Sequence, residues 1–166
     1  MNRSDATVCT THRTPLGTVL LLAGPNGLAG LWFEAQRHHP AVERMAHWTR
    51  DASHPVLLEA RHQVDDYFAA SHQTFTLPLD LGSGSAFQQA VWQALLRIPR
   101  GQTRSYRDIA EQIGRPQAVR AVGAAVGRNP LSIVVPCHRV LGSDGGLTGY
   151  AGGLERKRAL LQLEAL

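Results

Sequence analysis

Cysteine is scarce here: 166 residues carry only Cys9 and Cys137, far apart and in unlike settings. That argues against a disulfide framework and for a reducing compartment in which thiols stay free. No C-x2-C or His-x3–5-His pair completes a tetrahedral ligand set. Seven of the eight histidines lie before residue 82, and Cys9 with His12 reads as dispersed decoration, so no metal is expected. The chain also has no glycine-rich nucleotide fingerprint, and no cofactor is expected. No apolar run approaches a membrane span, and no charged-then-apolar leader opens the sequence. The expectation is a cytoplasmic protein.

Lysine is rarer still, with Lys157 standing alone beside sixteen arginines. Acids are scarce in one segment. From Met1 to Asp80 there are 6 basic and 8 acidic residues, whereas Arg97 to Arg139 has 8 arginines against only Asp108 and Glu111. Codon bias can favour arginine over lysine, but it does not remove the acids beside it. Basic charge concentrated in one segment is the electrostatic footprint of a nucleic-acid site.

What is present divides in two at Gly82-Ser83-Gly84-Ser85, whose composition marks a boundary. Before it, Thr14 to Phe33 reads as a hairpin closed by Gly24-Pro25-Asn26-Gly27. The polar stretch Arg37 to Asp51 has no clear assignment. His54 to Ala69 has helical apolar spacing with Pro55 near its start, and Thr74 to Leu81 alternates as a strand. Residues 1–81 thus predict a small α/β domain.

Beyond the boundary, Ser85-x-x-Gln88 fits a capping box before a helix striped by Phe87, Val91, Ala94, Leu95 and Ile98. A second helix begins at Ser105, and a third runs from about Gln117 to Gly127 after the break Gly114-Arg115-Pro116. Two short amphipathic helices about such a break read as a helix-turn-helix, though any helix corner gives a similar pattern. The third helix turns Arg120, Ala121, Gly123, Ala124 and Gly127 outward. Small side chains let a helix backbone approach a groove, and a basic residue anchors it. A merely solvated face would carry Glu and Lys.

Ile133-Val134-Val135 then reads as a short buried strand ended by Pro136. Cys137, His138 and Arg139 follow at the turn. A free thiol near neutrality is only about 3% ionised, so a nucleophilic cysteine needs a base beside it and positive charge to hold the anion. Cysteine is more often a small buried apolar residue; the adjacent His and Arg favour a nucleophile. After it, Leu141 to Gly153 is a glycine-rich loop containing Tyr150, and Leu154 to Leu166 is helical by composition.

Pro136-Cys137-His138-Arg139-Val140 resembles the active-site signature of the O6-alkylguanine-DNA alkyltransferases, the methylated-DNA–protein-cysteine methyltransferases. The similarity extends, in order, through Phe87-Gln88-x-x-Val91-Trp92, Ile98-Pro99-x-Gly101, Ser105-Tyr106, Arg120-Ala121-Val122-Gly123, Arg128-Asn129-Pro130 and Tyr150-Ala151-Gly152-Gly153-Leu154, to a helix holding Glu164. It covers residues 82–166 strongly, and Thr14-Pro15-Leu16-Gly17 resembles the start of the family's N-terminal domain. Relatives with Trp in place of the cysteine bind lesions without repairing them; Cys137 departs from that group. The family's zinc-binding N-terminal version finds only Cys9 here.

The resemblance implies an α/β (α+β) chain: a ribonuclease-H-like domain over 1–81 and a winged-helix-like DNA-binding and alkyl-transfer domain over 82–166. It implies that Cys137 attacks the alkyl carbon on O6 of guanine, with His138 as base through a water, Glu164 orienting the imidazole, Asn129 steadying the turn and Tyr106 protonating the leaving guanine. Backbone groups at Val140 and Ala151 would read the base, with Tyr150 in the pocket wall. Arg120, with Ala121 and Gly123, would enter the minor groove of double-stranded DNA, and Arg104, Arg115 or Arg128 would contact phosphates. O4-alkylthymine is a second expected lesion. The expected state is a monomer, with cooperative assembly on DNA open. On the residues alone two other readings stand: a DNA-binding regulator or alkylation sensor, and a thiol hydrolase using Cys137 and His138. Neighbouring residues at a strand end point opposite ways, which makes direct Cys–His contact awkward in the latter.

Overall fold

The structure, a computed structural model, describes residues 7–69 and 74–165. The chain divides into two compact units, Met1–Leu81 and Gly82–Leu166.

The first unit is built on an antiparallel meander of β1 (Val8–Thr14), β2 (Gly17–Gly24) and β3 (Gly27–Phe33). The β2–β3 hairpin turns at the Gly-Pro-Asn-Gly stretch. Gly27 has φ +140, and a Cβ there would lie 2.3 Å from the Pro78 carbonyl oxygen, so turn and neighbouring chain both require glycine. Strand β1 lies outside the expected hairpin. Its sequence, VCTTHRT, is too polar to announce a strand, and pairing with β2 along Val8↔Ala23 to Thr14↔Gly17 creates it. The unassigned stretch forms a single helical turn, α1 (Val42–Met45), and β4 (Thr49–Arg50), which pairs parallel to β1 and completes the sheet order β3-β2-β1-β4. The expected strand over Thr74 to Leu81 is reduced to one parallel bridge, Leu28↔Leu79.

Helix α2 (Pro55–Phe68) packs on the sheet and buries Leu57, Ala60, Val64 and Tyr67. Alternation along β2 sends Leu20 and Leu22 to the other face, where they cluster with Cys9 and Trp32 beneath Met45 and Trp48. Trp32 and Trp48 stack there at 6.1 Å.

In the second unit, α3 (Ala86–Leu96) and α4 (Tyr106–Gln112) each begin with a reciprocal capping box, Ser85 with Gln88 and Ser105 with Asp108. Such caps satisfy amide groups that have no partner within the helix. Helix α5 (Val119–Gly127) starts two residues later than its apolar spacing suggested, because residues 115–118 form a turn in which Ala118 N–H donates to Arg115 O. It buries Val122, Ala125 and Val126, and Trp92 Nε1–H donates to Ala125 O over 2.9 Å, tying α3 to the last turn of α5. A parallel pair, β5 (Arg104–Ser105) with β6 (Val140–Leu141), sits beside α4. Helix α6 (Leu154–Glu164) closes the unit; Leu166, where the helix was expected to end, lies outside the described residues. Among the described residues no helix is long and apolar enough to cross a membrane, and no group of three or more His, Cys, Asp or Glu is placed to hold a metal ion.

Candidate active site

Residues 131–135 are fully packed but do not form the expected strand. They coil through successive tight turns, in which Val135 N–H donates to Leu131 O over 2.9 Å and Cys137 N–H to Val135 O over 2.8 Å. Ile133 sits at φ +73 and is 1% exposed. A left-handed conformation is rare for a β-branched residue, and tight packing around this turn holds it there. Short apolar runs look alike in buried strands and buried coil, which is why the sequence suggested otherwise.

The consequence falls on the next three residues. Cys137–Arg139 form one 3-10 turn, in which successive side chains are splayed by about 120°. The opposed directions of a strand end, which made a Cys–His pair awkward, therefore do not arise.

Asn129 holds this turn from the end of α5. Its Nδ2 donates to Val135 O over 2.8 Å and to Leu131 O over 3.3 Å, while its Oδ1 accepts from Leu131 N–H over 2.9 Å. The same side chain lies close enough to Cys137 to act on its thiol. Cys137 is 4% exposed. Burial pushes its thiol above the ordinary range; Asn129 and the positive charge of Lys157 oppose that rise.

His138 and Glu164 form a wholly buried pair, with Nε2–H of the imidazole donating to Oε1 of the carboxylate over 2.6 Å. Arg139 grips the same carboxylate: Nε donates to Oε2 over 2.9 Å, Nη2 to Oε1 over 2.8 Å, and Nη1 to Ile98 O over 2.6 Å. Burial alone would raise the Glu164 carboxyl, but the hydrogen bonds and charges of His138 and Arg139 hold it down at about 2. Burial pushes His138 down, against the Glu164 bond, and the charges of Arg139 and Lys157 push the same way as burial. His138 Nδ1 is buried and has no hydrogen-bond partner among the described residues.

Lys157, which sequence reasoning did not place in the site, is a candidate functional residue of this cluster. It is fully buried, and its Nζ donates to Val140 O over 2.6 Å, Thr148 O over 2.9 Å and Gly149 O over 3.2 Å. The cation beside the thiol is therefore Lys157, whereas Arg139, suggested by its position in the motif, pairs with Glu164. A signal existed: Lys157, Leu160 and Glu164 stand at helical spacing on the buried stripe of α6.

Tyr106 opens α4 half-buried, its hydroxyl donating to Thr148 O over 3.3 Å, so it reaches the glycine-rich loop. Val140 is buried in β6, and Tyr150 and Ala151 are half-buried at the end of that loop. On α5, Arg120 and Ala121 are exposed and Gly123 partly so, while Arg115 and Arg128 are exposed at its two ends. Arg104 is half-buried and donates to Thr103 O and Gln102 Oε1. The structure thus brings Cys137, His138, Asn129 and Glu164 into one buried cluster and leaves the basic residues of α5 on the surface.

A buried thiol with a cation beside it, next to an imidazole backed by a carboxylate, is the equipment of a cysteine that attacks an electrophile. Comparison with known proteins narrows the class. The 6-O-methylguanine DNA methyltransferase ribonuclease-like domain matches residues 7–81, and the DNA binding domain of the same name matches residues 86–166. The methylated-DNA–protein-cysteine methyltransferase of Mycobacterium tuberculosis is 49% identical over 151 residues, covering 91% of this chain and 88% of its own. The constitutive enzyme of that name from Bacillus subtilis is 46% identical over 158 residues, covering 95% and 94%. Among solved structures, M. tuberculosis OGT in complex with DNA superposes with a TM-score of 0.85 at 47% identity, covering 95% of this chain and 92% of that one. The chain belongs to the methylated-DNA–protein-cysteine methyltransferase family.

Proposed function

We propose that this protein repairs DNA by direct reversal of damage, moving the alkyl group of O6-alkylguanine, and of O4-alkylthymine, irreversibly onto its own Cys137. Cys137 Sγ attacks the alkyl carbon in line, the S–C bond forming as the C–O6 bond breaks, with that electron pair leaving on guanine. The thiol proton passes through one water to His138, whose Nδ1 is the ring nitrogen left free by the Nε2–Glu164 bond. Tyr106 gives its proton to the leaving guanine and recovers one from the imidazolium through solvent. Asn129 and Lys157 stabilise the thiolate, the first by hydrogen bonding and the second by charge. The product thioether has no ready route to hydrolysis, so each molecule acts once.

The base must leave the stack to reach a buried thiol, at a cost of a few kcal/mol. In this reading Arg120 fills the gap from the minor-groove side, with Ala121 and Gly123 allowing close approach. Arg104, Arg115 and Arg128 bind phosphates without sequence preference. Val140 and Ala151 read the base edge through their backbones, and Tyr150 walls the pocket. The Val140 carbonyl already accepts from Lys157, which leaves its second lone pair for the base. The protein works as a monomer that can assemble cooperatively on DNA, in the cytoplasm and on the nucleoid.

The observation carrying this reading is the buried cluster of Cys137, Asn129, Lys157, His138 and Glu164 in a chain of this family. Its test is intact mass after incubation with a duplex holding one O6-methylguanine. The native chain is expected to gain one methyl mass, mapped to Cys137, and Cys137→Ala none. Tighter binding to the lesion with no mass gain would instead indicate a lesion-recognition protein.

A further inference from the structure

His138 presents a problem that its pairing with Glu164 alone does not solve. To take a proton from Cys137, the imidazole must be neutral at rest. An imidazole beside a buried carboxylate, with no other charge nearby, is drawn toward the imidazolium form. A group already protonated accepts nothing further.

Burial is the first influence against the imidazolium, and the charge of Arg139 adds to it. The Arg139 fork occupies both oxygens of Glu164, at 2.9 and 2.8 Å, and shares Oε1 with His138. The third contact, Nη1 to Ile98 O at 2.6 Å, anchors the guanidinium to the end of α3. Arginine cannot deprotonate in a protein and matches a carboxylate in two-point geometry. The negative charge that would otherwise pull a proton onto the ring is therefore already countered. The other ring nitrogen, Nδ1, is buried without a protein acceptor among the described residues, so no second carboxylate draws a proton onto it. The charges acting on His138 come from Glu164 and Lys157 on α6 and from Arg139 on its own turn; Cys137 is the other titratable neighbour.

We propose that Arg139 is a positioning residue that keeps His138 neutral at rest, by taking up the charge of Glu164, and so keeps the base ready for the Cys137 proton. The inference rests on the alkyl-transfer reading for its kinetic consequence, but not for its electrostatic one. Removing the guanidinium raises the proton affinity of the His138–Glu164 pair whichever member takes the proton.

Two measurements test this. The first follows the His138 ring by NMR as a function of pH in the native protein and in Arg139→Gln, assigned by its loss in His138→Gln, and needs no substrate. A neutral ring at pH 7 is expected in the native protein, with its titration moved to higher pH in Arg139→Gln; a native imidazolium, or an unmoved titration in the variant, overturns the proposal even if methyl transfer proceeds. The second is the single-turnover rate of methyl transfer from an O6-methylguanine duplex between pH 5 and 9, for native protein, Arg139→Gln and Arg139→Lys. In Arg139→Gln the acid limb should move up by on the order of one pH unit, making transfer about tenfold slower below the midpoint. Arg139→Lys keeps the charge and should keep the native limb. A uniform loss of rate in Arg139→Gln, with the limb unmoved, would reduce Arg139 to a structural tie. Absence of transfer by the native protein would count against the alkyl-transfer reading and leave the NMR result to decide the role of Arg139.

Discussion

Lys157 Nζ donates to the Val140 carbonyl over 2.6 Å, and the same ammonium reaches Thr148 O and Gly149 O. One side chain thus joins β6, the glycine-rich loop and α6 from a position with no exposed surface. Its charge also acts on the Cys137 thiol. Burying an ammonium is costly unless its donors are satisfied; here three carbonyls satisfy them and the charge is left for the thiolate.

Replacing that cation separates its two roles. In Lys157→Met the thiol should titrate at higher pH, because burial then acts on Cys137 with less positive charge to oppose it. Iodoacetamide labelling of Cys137 as a function of pH checks this, with Cys137→Ala as the blank. An unmoved labelling midpoint would assign Lys157 to loop packing alone.

Asn129 should matter for stability as well as rate. Asn129→Ala leaves Leu131 N–H without its partner in a buried turn, while Leu131 O and Val135 O keep the Val135 and Cys137 amides as donors. One buried unsatisfied donor gives an expected loss of about 1–3 kcal/mol. Urea unfolding should show a lower midpoint with an unchanged slope.

Acid should weaken the fold through the same buried pair. The Glu164 carboxyl is held at about 2 in the folded chain, against roughly 4.3 when unfolded. A depressed carboxyl contributes stability that is complete above the unfolded value and is lost as pH falls toward the folded one. The contribution is a few kcal/mol, disappearing between roughly pH 4.3 and 2. His138, pushed down by burial, adds a loss that begins as pH falls below about 6.5. Glu164→Gln should flatten the lower part of this dependence, and thermal unfolding from pH 7 to pH 3 measures it.

The outward face of α5 offers a test in which stability and function part company. A Cβ at Gly123 would meet nothing closer than Tyr106 Cδ1 at 3.9 Å, an ordinary contact. Gly123→Ala should therefore stabilise the helix by about 0.5–1 kcal/mol. If this face approaches DNA by its backbone, the same change should weaken duplex binding, seen by fluorescence anisotropy at fixed salt. Higher stability with undiminished affinity would remove Gly123 from the interface.

Much of this protein was determined by local chemistry that a sequence states directly. Ser85 with Gln88 can cap a helix by hydrogen bonds spanning four residues, and the apolar stripes after Ser85 and Ser105 choose their own buried sides. Pro136-Cys137-His138-Arg139-Val140 singles out a candidate nucleophile because a His and an Arg stand beside the thiol in sequence, and it carries the resemblance to the alkyltransferase signature. Tertiary structure decided whatever depended on partners far along the chain. Strand β1, too polar to declare itself, exists because β2 pairs with it. Ile133–Val135 became coil because the Val134 and Val135 amides donate back to Ser132 O and Leu131 O and packing holds Ile133 at φ +73. Arg139 turned from the thiol to Glu164, twenty-five residues on, and Lys157 went inside to meet three carbonyls. A charged side chain is buried only where its counter-groups converge, and that convergence is a property of the fold.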